Sequence, residues 1–377
     1  MNKKNDQVCS RCVMDSTDTN IIFDESGVCN HCTNALKVQH DLVYNCPNPE
    51  EKFLETISEM KLNPGKDGFH AIMGISGGLD SSYLLHVLSK YDLKILAVHV
   101  DAGWNSLEAV KNINSLVSKL DIELETVVIN WEEMKELQIA YLKSGLINQD
   151  VPQDHVFFSS LYRIASENNI QHVISGSNFV SESILPSSWG QNAMDGRQIK
   201  AVYGKYGKGK LANYPITYLR QYLWKTQITE KLKVVSPLNY IDYSPSAATS
   251  ILHEKYNWRD YGGKHRESKF TEFFQLIYLP ERFGIDKRKA HLSSLIMSNQ
   301  ITRTEALEIL NHPQLSNLDR ENLIRFVSTK LGLDGDSMST YMKMEYVNSD
   351  TLPNEKYLKY FLPIAIKAKI VLKRLLT

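Results

Sequence analysis

The stretch MGISGGLDSSYLLHV, Met73–Val87, places glycines, serines and an aspartate between an apolar run and the start of a predicted helix. Gly77 and Gly78 let the backbone approach an anion closely and adopt dihedral angles that other residues resist. The N–H groups of residues 78–82 would then converge at a helix N-terminus, which is a natural cradle for phosphate oxygens. The stretch therefore predicts a phosphate-binding loop at the junction of a strand and a helix.

The chain around this loop alternates predicted strands with predicted helices. The strands are apolar runs, and they cover His70–Ile75, Lys94–Val100, Glu123–Ile129 and His172–Gly176. The segments between them, such as SLEAVKNINSLVSKL and DHVFFSSLYRIASENN, carry apolar residues at helical spacing. Alternation of this kind predicts parallel strands with right-handed crossovers, and hence an α/β fold with an open sheet.

The cysteines all lie near the N-terminus. The pairs Cys9-x-x-Cys12 and Cys29-x-x-Cys32 have the spacing of a four-thiolate site, and the fifth thiol, Cys46, has no assigned role. We expect a structural Zn²⁺ ion here, with no ligand position left for water. An iron–sulfur cluster or a redox pair would use the same ligands and stays an alternative.

The composition limits the classes of function. The chain has 377 residues, with 43 Lys and Arg against 43 Asp and Glu, which argues against general nucleic-acid binding. No apolar leader and no run of about 18 apolar residues is found, so we expect a cytoplasmic protein without a transmembrane segment. The expected organisation is a zinc ribbon (1–46), an α/β domain with an insertion (47–260) and a mostly helical region (261–377).

The pattern S-G-G-x-D-S at residues 76–81 is neither a Walker A motif nor G-x-G-x-x-G. It resembles the pyrophosphate loop of the N-type ATP pyrophosphatases, the PP-loop superfamily with the adenine nucleotide alpha hydrolase-like fold. These enzymes cleave ATP between its α and β phosphates. The resemblance implies that Ser76, Gly77, Gly78, Asp80 and Ser81 bind the pyrophosphate end of ATP, with Asp80 holding Mg²⁺.

Two further segments resemble that superfamily. VHVDAGWNS follows the second strand, and the resemblance implies that His99 and Asp101 lie near adenosine. SGSNFVSE resembles a later element in which Gly176, Asn178 and Glu182 help to position ATP, with Glu182 as a second magnesium ligand.

Over most of its length the chain resembles the N-acetyl sugar amidotransferases of bacterial surface-glycan synthesis. The resemblance rests on the cysteine module, on GISGGLDSSYLLH and on the segment from Tyr261 to Leu307. It implies conversion of a sugar acetamido group to an acetamidino group with ATP and ammonia, in O-antigen or nonulosonic acid pathways. It also implies a separate glutaminase partner and an acceptor that is a free or nucleotide-linked N-acetyl sugar.

The absence of thiols after Cys46 agrees with a separate ammonia source, because a built-in glutaminase needs a nucleophilic cysteine. Within GGKHRESKFT, Lys264, His265 and Glu267 are candidate catalytic residues for the acceptor or the adenylated intermediate. A salt-bridged surface turn would explain the same residues. Arg282, Lys287, Arg288 and His291 are further candidates for contact with an acidic sugar, or they form a solvated helix start.

Two other functions remain open. A tRNA thiolation enzyme can combine a zinc ribbon with the same loop, although it generally needs cysteines in its catalytic domain. A degenerate, non-catalytic ATP domain that only supports a glutaminase is the second alternative. The basic and apolar ending, KYLKYFLPIAIKAKIVLKRLLT, suits a membrane surface, but packing on protein is the favoured interpretation.

Overall fold

The structure is a computed structural model that describes residues 7–44, 46, 48–190, 192–229, 231–264 and 266–376. Its N-terminal module consists of short bridges, Val8 with Asp15 and Phe23 with Cys29, followed by helix α1 (Asn30–Tyr44). Helix α2 (Pro49–Leu62) leads to the sheet. Pro49 suits the first turn of α2, and the Asn48 side chain caps it by accepting from the amide of Glu51.

The strands of the described residues form one parallel sheet. They are β1 (Ala71–Gly74), β2 (Ile95–Asp101), β3 (Leu124–Val128), β4 (His172–Ile174) and β5 (Lys233–Val235). Their spatial order is β3-β2-β1-β4-β5, so the order reverses between β1 and β4. In open α/β sheets ligands bind at such a reversal, beyond the carboxyl ends of the strands.

Helices cover both faces of the sheet. In chain order they are α3 (Leu79–Leu88), α4 (Leu107–Leu120), α5 (Trp131–Ser144), α6 (Val151–Glu167), α7 (Phe179–Glu182), α8 (Gly196–Tyr206), α9 (Leu219–Leu223) and α10 (Pro245–Tyr256). Alternate residues of β1 enter different cores: Ile72 packs with α5, α6 and α8, whereas Met73 packs with α3, α4 and α10. This is the two-residue period of a strand that is buried on both faces.

The C-terminal region is helical, as expected. Its helices are α11 (Lys269–Phe273), α12 (Leu279–Phe283), α13 (Arg288–Met297), α14 (Arg303–Asn311), α15 (Asn317–Leu331), α16 (Gly335–Met342) and α17 (Leu358–Leu376). A π-helical turn, Phe274–Tyr278, joins α11 to α12. Thr302 and Glu305 form the capping box of α14 that their spacing predicts. Among the helices described, none has the combination of length and apolar character that a membrane crossing requires.

The two ends of the chain share a hydrophobic core. Cys9, Cys12 and Met14 belong to the same buried cluster as Phe270 and Phe273. The N-terminal module is therefore packed against the C-terminal helices. The division at residues 46 and 260 stays a prediction.

Two features of the fold were not predicted. The fifth strand, Lys233–Val235, is only three residues long and lies in a region that shows no clear period in the sequence. The insertion expected within residues 47–260 was assigned no elements, but residues 179–261 contain α8, α9, β5 and α10. β5 is placed by pairing with β4, whereas α8 packs on α5 and α6 and α10 packs on α3 and α4.

Candidate active site and metal centre

The loop between β1 and α3 has the geometry of an anion-binding turn. Gly77 has φ of +79°, and a Cβ atom there would lie 2.5 Å from the carbonyl oxygen of Ala109. The indole N–H of Trp258 donates to the carbonyl oxygen of Gly77 at 3.0 Å. Gly78 precedes the first turn of α3, so the amides at the start of that helix face the carboxyl edge of the sheet.

A cleft of about 290 Å³ opens over this loop, and we call it the nucleotide cleft. Several residues predicted to bind ATP line it, and these are Ser76, Gly78, Asp80, Ser81, Gly176 and Glu182. The predicted Lys264 and Glu267 line it as well. Residues from distant parts of the chain thus meet at the reversal of strand order.

Asp80 and Glu182 meet at one lysine. The Lys264 ammonium lies 3.2 Å from a carboxylate oxygen of Asp80 and 2.8 Å from one of Glu182. It also donates to the Ser181 hydroxyl at 2.9 Å. Burial disfavours the charged lysine, but the two carboxylates outweigh this effect and raise the pKa of Lys264. The cleft therefore holds a charged network of two anions and one cation.

The carboxylates of Asp80 and Glu182 also fit a magnesium site. Mg²⁺ in phosphate-transferring sites takes one or two protein carboxylates together with substrate phosphates. Both carboxylates approach the same ammonium group, so they face one common space. Lys264 would have to withdraw from at least one of them for an ion to bind there.

The segment after α10 forms the outer wall of the nucleotide cleft. The Tyr261 hydroxyl and a Glu267 carboxylate oxygen would lie 3.2 and 3.8 Å from a Cβ atom built on Gly78. Burial raises the pKa of the Glu267 carboxyl. The segment is held by backbone bonds, because the Ser106 amide donates to the carbonyl oxygen of Glu267 at 2.7 Å. His265 lies outside the described residues.

Three predicted ATP-binding residues outside the loop have local partners. His99 lies below the surface, between the carbonyl oxygen of Ile75 at 3.1 Å and the Asn105 amide at 3.0 Å. Asp101 accepts from the Asn105 amide and from the backbone N–H of Gly103. Asn178 caps α7 by accepting from the amide of Ser181. None of these three side chains lines the nucleotide cleft, so their predicted contact with ATP stays a prediction.

Sequence reasoning missed several side chains of the cleft. The Tyr243 hydroxyl donates to Asp80, and Trp258, Asp260 and Tyr261 line the wall. Burial, followed by the neighbouring charge of Asp80, raises the pKa of Tyr243, which keeps this phenol protonated as a donor. No spacing in the sequence marks these residues, because they reach the cleft from separate turns.

A second cleft of about 370 Å³ adjoins the nucleotide cleft, and we call it the acceptor cleft. The two clefts share Ser181, Glu182, Gly263, Lys264 and His291. Further inside, the lining includes the cationic side chains Arg266, Lys287 and Arg288. The predicted Arg282 does not line either cleft and instead contacts the Tyr278 hydroxyl and the carbonyl oxygen of Met344.

The cations of the acceptor cleft are partly paired. Arg288 is held by the carboxylate of Asp286 at 2.7 Å. Burial lowers the pKa of Lys287, and the nearby carboxylates of Asp150 and Asp154 oppose that shift. Burial, with the charge of Lys264, lowers the pKa of His291. With Lys264 and Arg266 added, cations outnumber the single lining carboxylate, so the cleft favours an anionic ligand.

The four predicted cysteine ligands form one compact centre. Their sulfur atoms all lie within 4.8 Å of one another, with neighbouring separations of 3.7, 3.8 and 3.9 Å. A tetrahedron with metal–sulfur bonds of about 2.3 Å has an edge of roughly 3.8 Å. The set therefore fits a single tetrahedral ion. A polynuclear iron–sulfur cluster would separate sulfurs on different irons further, and a disulfide would bring two much closer.

Contacts outside the sulfur atoms support this centre. The amides of Arg11, Cys12 and Cys29 donate to the Cys9 sulfur at 3.2–3.4 Å, which stabilises a thiolate. The guanidinium of Arg303 donates to the carbonyl oxygens of Cys9 and Cys12, both at 3.0 Å. His31 pairs with Asp18 at 2.5 Å and is therefore a neighbour of the centre rather than a ligand.

The fold and the loop define a class: a PP-loop domain at the carboxyl edge of a parallel sheet. Two family models match the chain, the phosphoadenosine phosphosulfate reductase domain over residues 70–149 and the LPS biosynthesis protein WbpG-like, C-terminal domain over residues 267–364. Together they support an LPS-biosynthesis protein of the PP-loop superfamily. No curated protein sequence matches the chain.

Solved structures that align with the chain include two synthetases and one tRNA thiolase. The NMN synthetase from Francisella tularensis is 15% identical, with 80% of this chain and 98% of that chain covered and a TM-score of 0.35. The NH₃-dependent NAD synthetase from Campylobacter jejuni is 17% identical, with 79% of this chain and 96% of that chain covered and a TM-score of 0.33. The U34-tRNA thiolase NcsA from Methanococcus maripaludis is 16% identical, with 70% of this chain and 81% of that chain covered and a TM-score of 0.32. At these TM-scores we base no argument on the likeness.

Proposed function

We propose that the protein is an ATP-dependent, AMP-forming amidotransferase that converts the N-acetyl group of a sugar to an acetamidino group in surface-glycan biosynthesis. The observation that carries the proposal is the junction of the two clefts. Lys264, Glu182 and Ser181 stand between the PP-loop and a cation-lined acceptor cleft. A phosphate-binding loop that opens directly on a second substrate site suits transfer of an adenylyl group.

The proposed reaction has two balanced steps. The acetamido oxygen attacks the α-phosphorus of ATP and forms a P–O bond while the bond to pyrophosphate breaks, and loss of the amide N–H proton leaves a neutral O-adenylyl imidate. Ammonia then attacks the imidate carbon, AMP departs with the oxygen, and loss of a proton gives the amidine. Adenylation is needed because the amide carbonyl is a poor electrophile and hydroxide is a poor leaving group.

The residues of the clefts can be assigned roles in these steps. The amides of residues 79–81, at the start of α3, bind the departing pyrophosphate, whereas the Ser82 amide already donates to the carbonyl oxygen of Gly78. Lys264 supplies positive charge where negative charge gathers on the phosphates. Asp80 and Glu182 would hold Mg²⁺, which neutralises phosphate charge when it is bound. Arg266 and Lys287 suit the anionic part of a nucleotide-linked sugar.

We further propose that the four-cysteine centre holds Zn²⁺ in a structural role and that a partner glutaminase supplies ammonia. All four cysteines of the centre are fully buried, which leaves no open ligand position for catalysis. No cysteine is among the residues that line the two clefts. A sulfur-carrying or glutamine-hydrolysing cysteine at the described site is therefore lacking, which disfavours thiolation.

The direct test is an assay of the purified chain with ATP, Mg²⁺, ammonium and candidate acetamido sugars. The expected products are AMP, pyrophosphate and a sugar lighter by the difference between an oxygen atom and an NH group. Asp80→Asn should lower AMP formation by about 100-fold or more, because it removes a charge that the phosphates and their ion require. Conversion of ATP to ADP would show the proposal to be wrong.

A control variant separates this effect from a general loss of charge. Asp92→Asn changes an exposed aspartate with φ of +47°, a conformation that asparagine tolerates, and should retain wild-type turnover. Glutamine should not replace ammonium unless the partner is added. Turnover with glutamine by the chain alone would contradict the proposed glutaminase partner.

A further inference from the structure

The last helix of the chain, α17, presents two different faces. One face packs on the π-helical turn Trp224–Ile228, where Leu362 and Ile366 are half-buried and the Lys369 ammonium donates to the carbonyl oxygen of Gln227 at 3.1 Å. The opposite face carries large apolar side chains with no cover from the described residues. Over the part of α17 whose side chains are described, residues 358–367 and 369, the helix thus contacts the body along one side.

The exposed face is aromatic and aliphatic. Tyr360, Phe361 and Ile364 are 67%, 61% and 65% exposed, and Tyr357 lies one turn earlier, in edge contact with Phe361. Tyr360, Phe361 and Ile364 lie on one stripe of the helix, and Tyr357 lies in the turn just before its first residue. Side chains of this size are rarely exposed together on a monomeric protein unless the patch binds something.

Trp224 is a further exposed aromatic side chain, outside the helix. It lies in the turn on which α17 packs, and it is 59% exposed. Exposed tryptophan and tyrosine are enriched at membrane–water interfaces, because one end of each ring is apolar and the other is polar.

The charged residues of the C-terminal segment all have one sign. From Tyr357 to Thr377 the sequence has five Lys and Arg and no Asp or Glu, although the whole chain is balanced at 43 of each kind. Lys359 and Lys367 are exposed next to the apolar stripe. Lys225 follows Trp224 in the packed turn. A basic rim around an apolar stripe is complementary to a surface that is apolar inside and anionic at its boundary.

We propose that the exposed face of α17 docks the protein on the surface of an anionic phospholipid bilayer. The helix would lie in the interface, with Phe361 and Ile364 directed to the acyl boundary and Lys359 and Lys367 near the lipid phosphates. The basic residues of this segment complement the phosphates of an anionic lipid surface, and between residues 357 and 377 the sequence has no acidic group to repel them. Lipid is therefore the occupant that the chemistry favours.

The test is flotation of the full-length protein with vesicles. Vesicles of phosphatidylglycerol and phosphatidylcholine should carry the protein, vesicles of phosphatidylcholine alone should carry much less, and raising salt from about 0.1 M to about 0.5 M should weaken the binding. Phe361→Glu combined with Ile364→Glu should lower the bound fraction at least about fivefold. Lys359→Gln combined with Lys367→Gln should weaken the preference for anionic lipid.

A matched control adds two glutamates elsewhere. Leu62→Glu with Leu318→Glu changes two exposed leucines that lie far from α17 in the chain, and this variant should float like the wild type. Circular dichroism during heating should show that each variant is folded. The proposal is wrong if the wild type does not float with anionic vesicles, or if the Phe361/Ile364 variant floats equally well. A wild-type dimer that this variant converts to a monomer would assign the face to a second copy and also overturn the proposal.

Discussion

Single residues decide the chemistry of the nucleotide cleft. Lys264 contacts both Asp80 and Glu182, which the sequence proposed only as separate candidates. The Lys264 ammonium offsets the repulsion between the two carboxylates, and it leaves less negative charge to repel the phosphates of a nucleotide. Lys264 is consequently the residue that we expect to change partners when Mg²⁺ and a nucleotide bind.

Gly77 is the residue on which the shape of the loop depends most directly. Gly77→Ala should lower the free energy of unfolding by about 2–4 kcal/mol, because alanine resists a positive φ and its Cβ would collide with a backbone carbonyl. The measurement is the urea or thermal unfolding of the purified variant. Gly204→Ala is the matched control: it lies within α8 with no atom within 4 Å of the added Cβ, and it should leave stability unchanged or raise it slightly. Equal stability of the two variants would contradict this account.

At the scale of elements, α6 is fixed to the loops beside it by a buried histidine. His155 contacts the carbonyl oxygen of Ala193 through Nδ1 at 2.6 Å, and its Nε2 accepts from the amide of Thr217 at 3.0 Å. Only the neutral ring with its proton on Nδ1 satisfies both partners. Burial lowers the pKa of His155 to about 4, from an ordinary value of 6.5.

This histidine predicts a dependence of stability on pH. Between pH 6.5 and about 4 the unfolded chain binds a proton at this residue that the folded chain does not bind, so stability falls as the pH falls through that window. His155→Gln should therefore show a smaller decrease of Tm between neutral pH and pH 5 than the wild type. Thermal unfolding at several pH values measures this, with His253→Gln, a change at an exposed histidine, as the control. An unchanged decrease in the His155 variant would refute the assignment.

At the scale of the whole molecule, the N-terminal module and the C-terminal helices stabilise each other. The Val13 amide donates to the Ser293 hydroxyl at 3.2 Å, and Asp15 pairs with Lys289 on α13. With the shared core around Phe270 and Phe273, these contacts couple the metal centre to the wall of the acceptor cleft. Loss of the metal should therefore be felt in both parts.

Metal removal gives the corresponding prediction. A chelator should lower Tm of the full chain, because the binding free energy of a structural ion is part of the folding free energy. Arg303→Ala should release the metal to a chromogenic chelator faster than the wild type and lower stability by about 1–3 kcal/mol, since two carbonyl acceptors lose a charged donor. Arg325→Ala, at an exposed position on α15, is the control. Equal rates of metal release from the Arg303 and Arg325 variants would show that Arg303 does not support the metal centre.

The sequence by itself determined the features that depend on neighbours in the chain. The first four strands, the PP-loop, the paired cysteines and the cap at Thr302 were readable because each has a spacing set by local backbone geometry. The cysteine pairs were predicted to meet, and their sulfurs do lie together. Only the tertiary structure decided that Lys264 joins Asp80 to Glu182, that Tyr243 donates to Asp80, and that β5 extends the sheet. These contacts join residues from separate elements, and packing of the elements, which leaves no period in the sequence, is what brings them together.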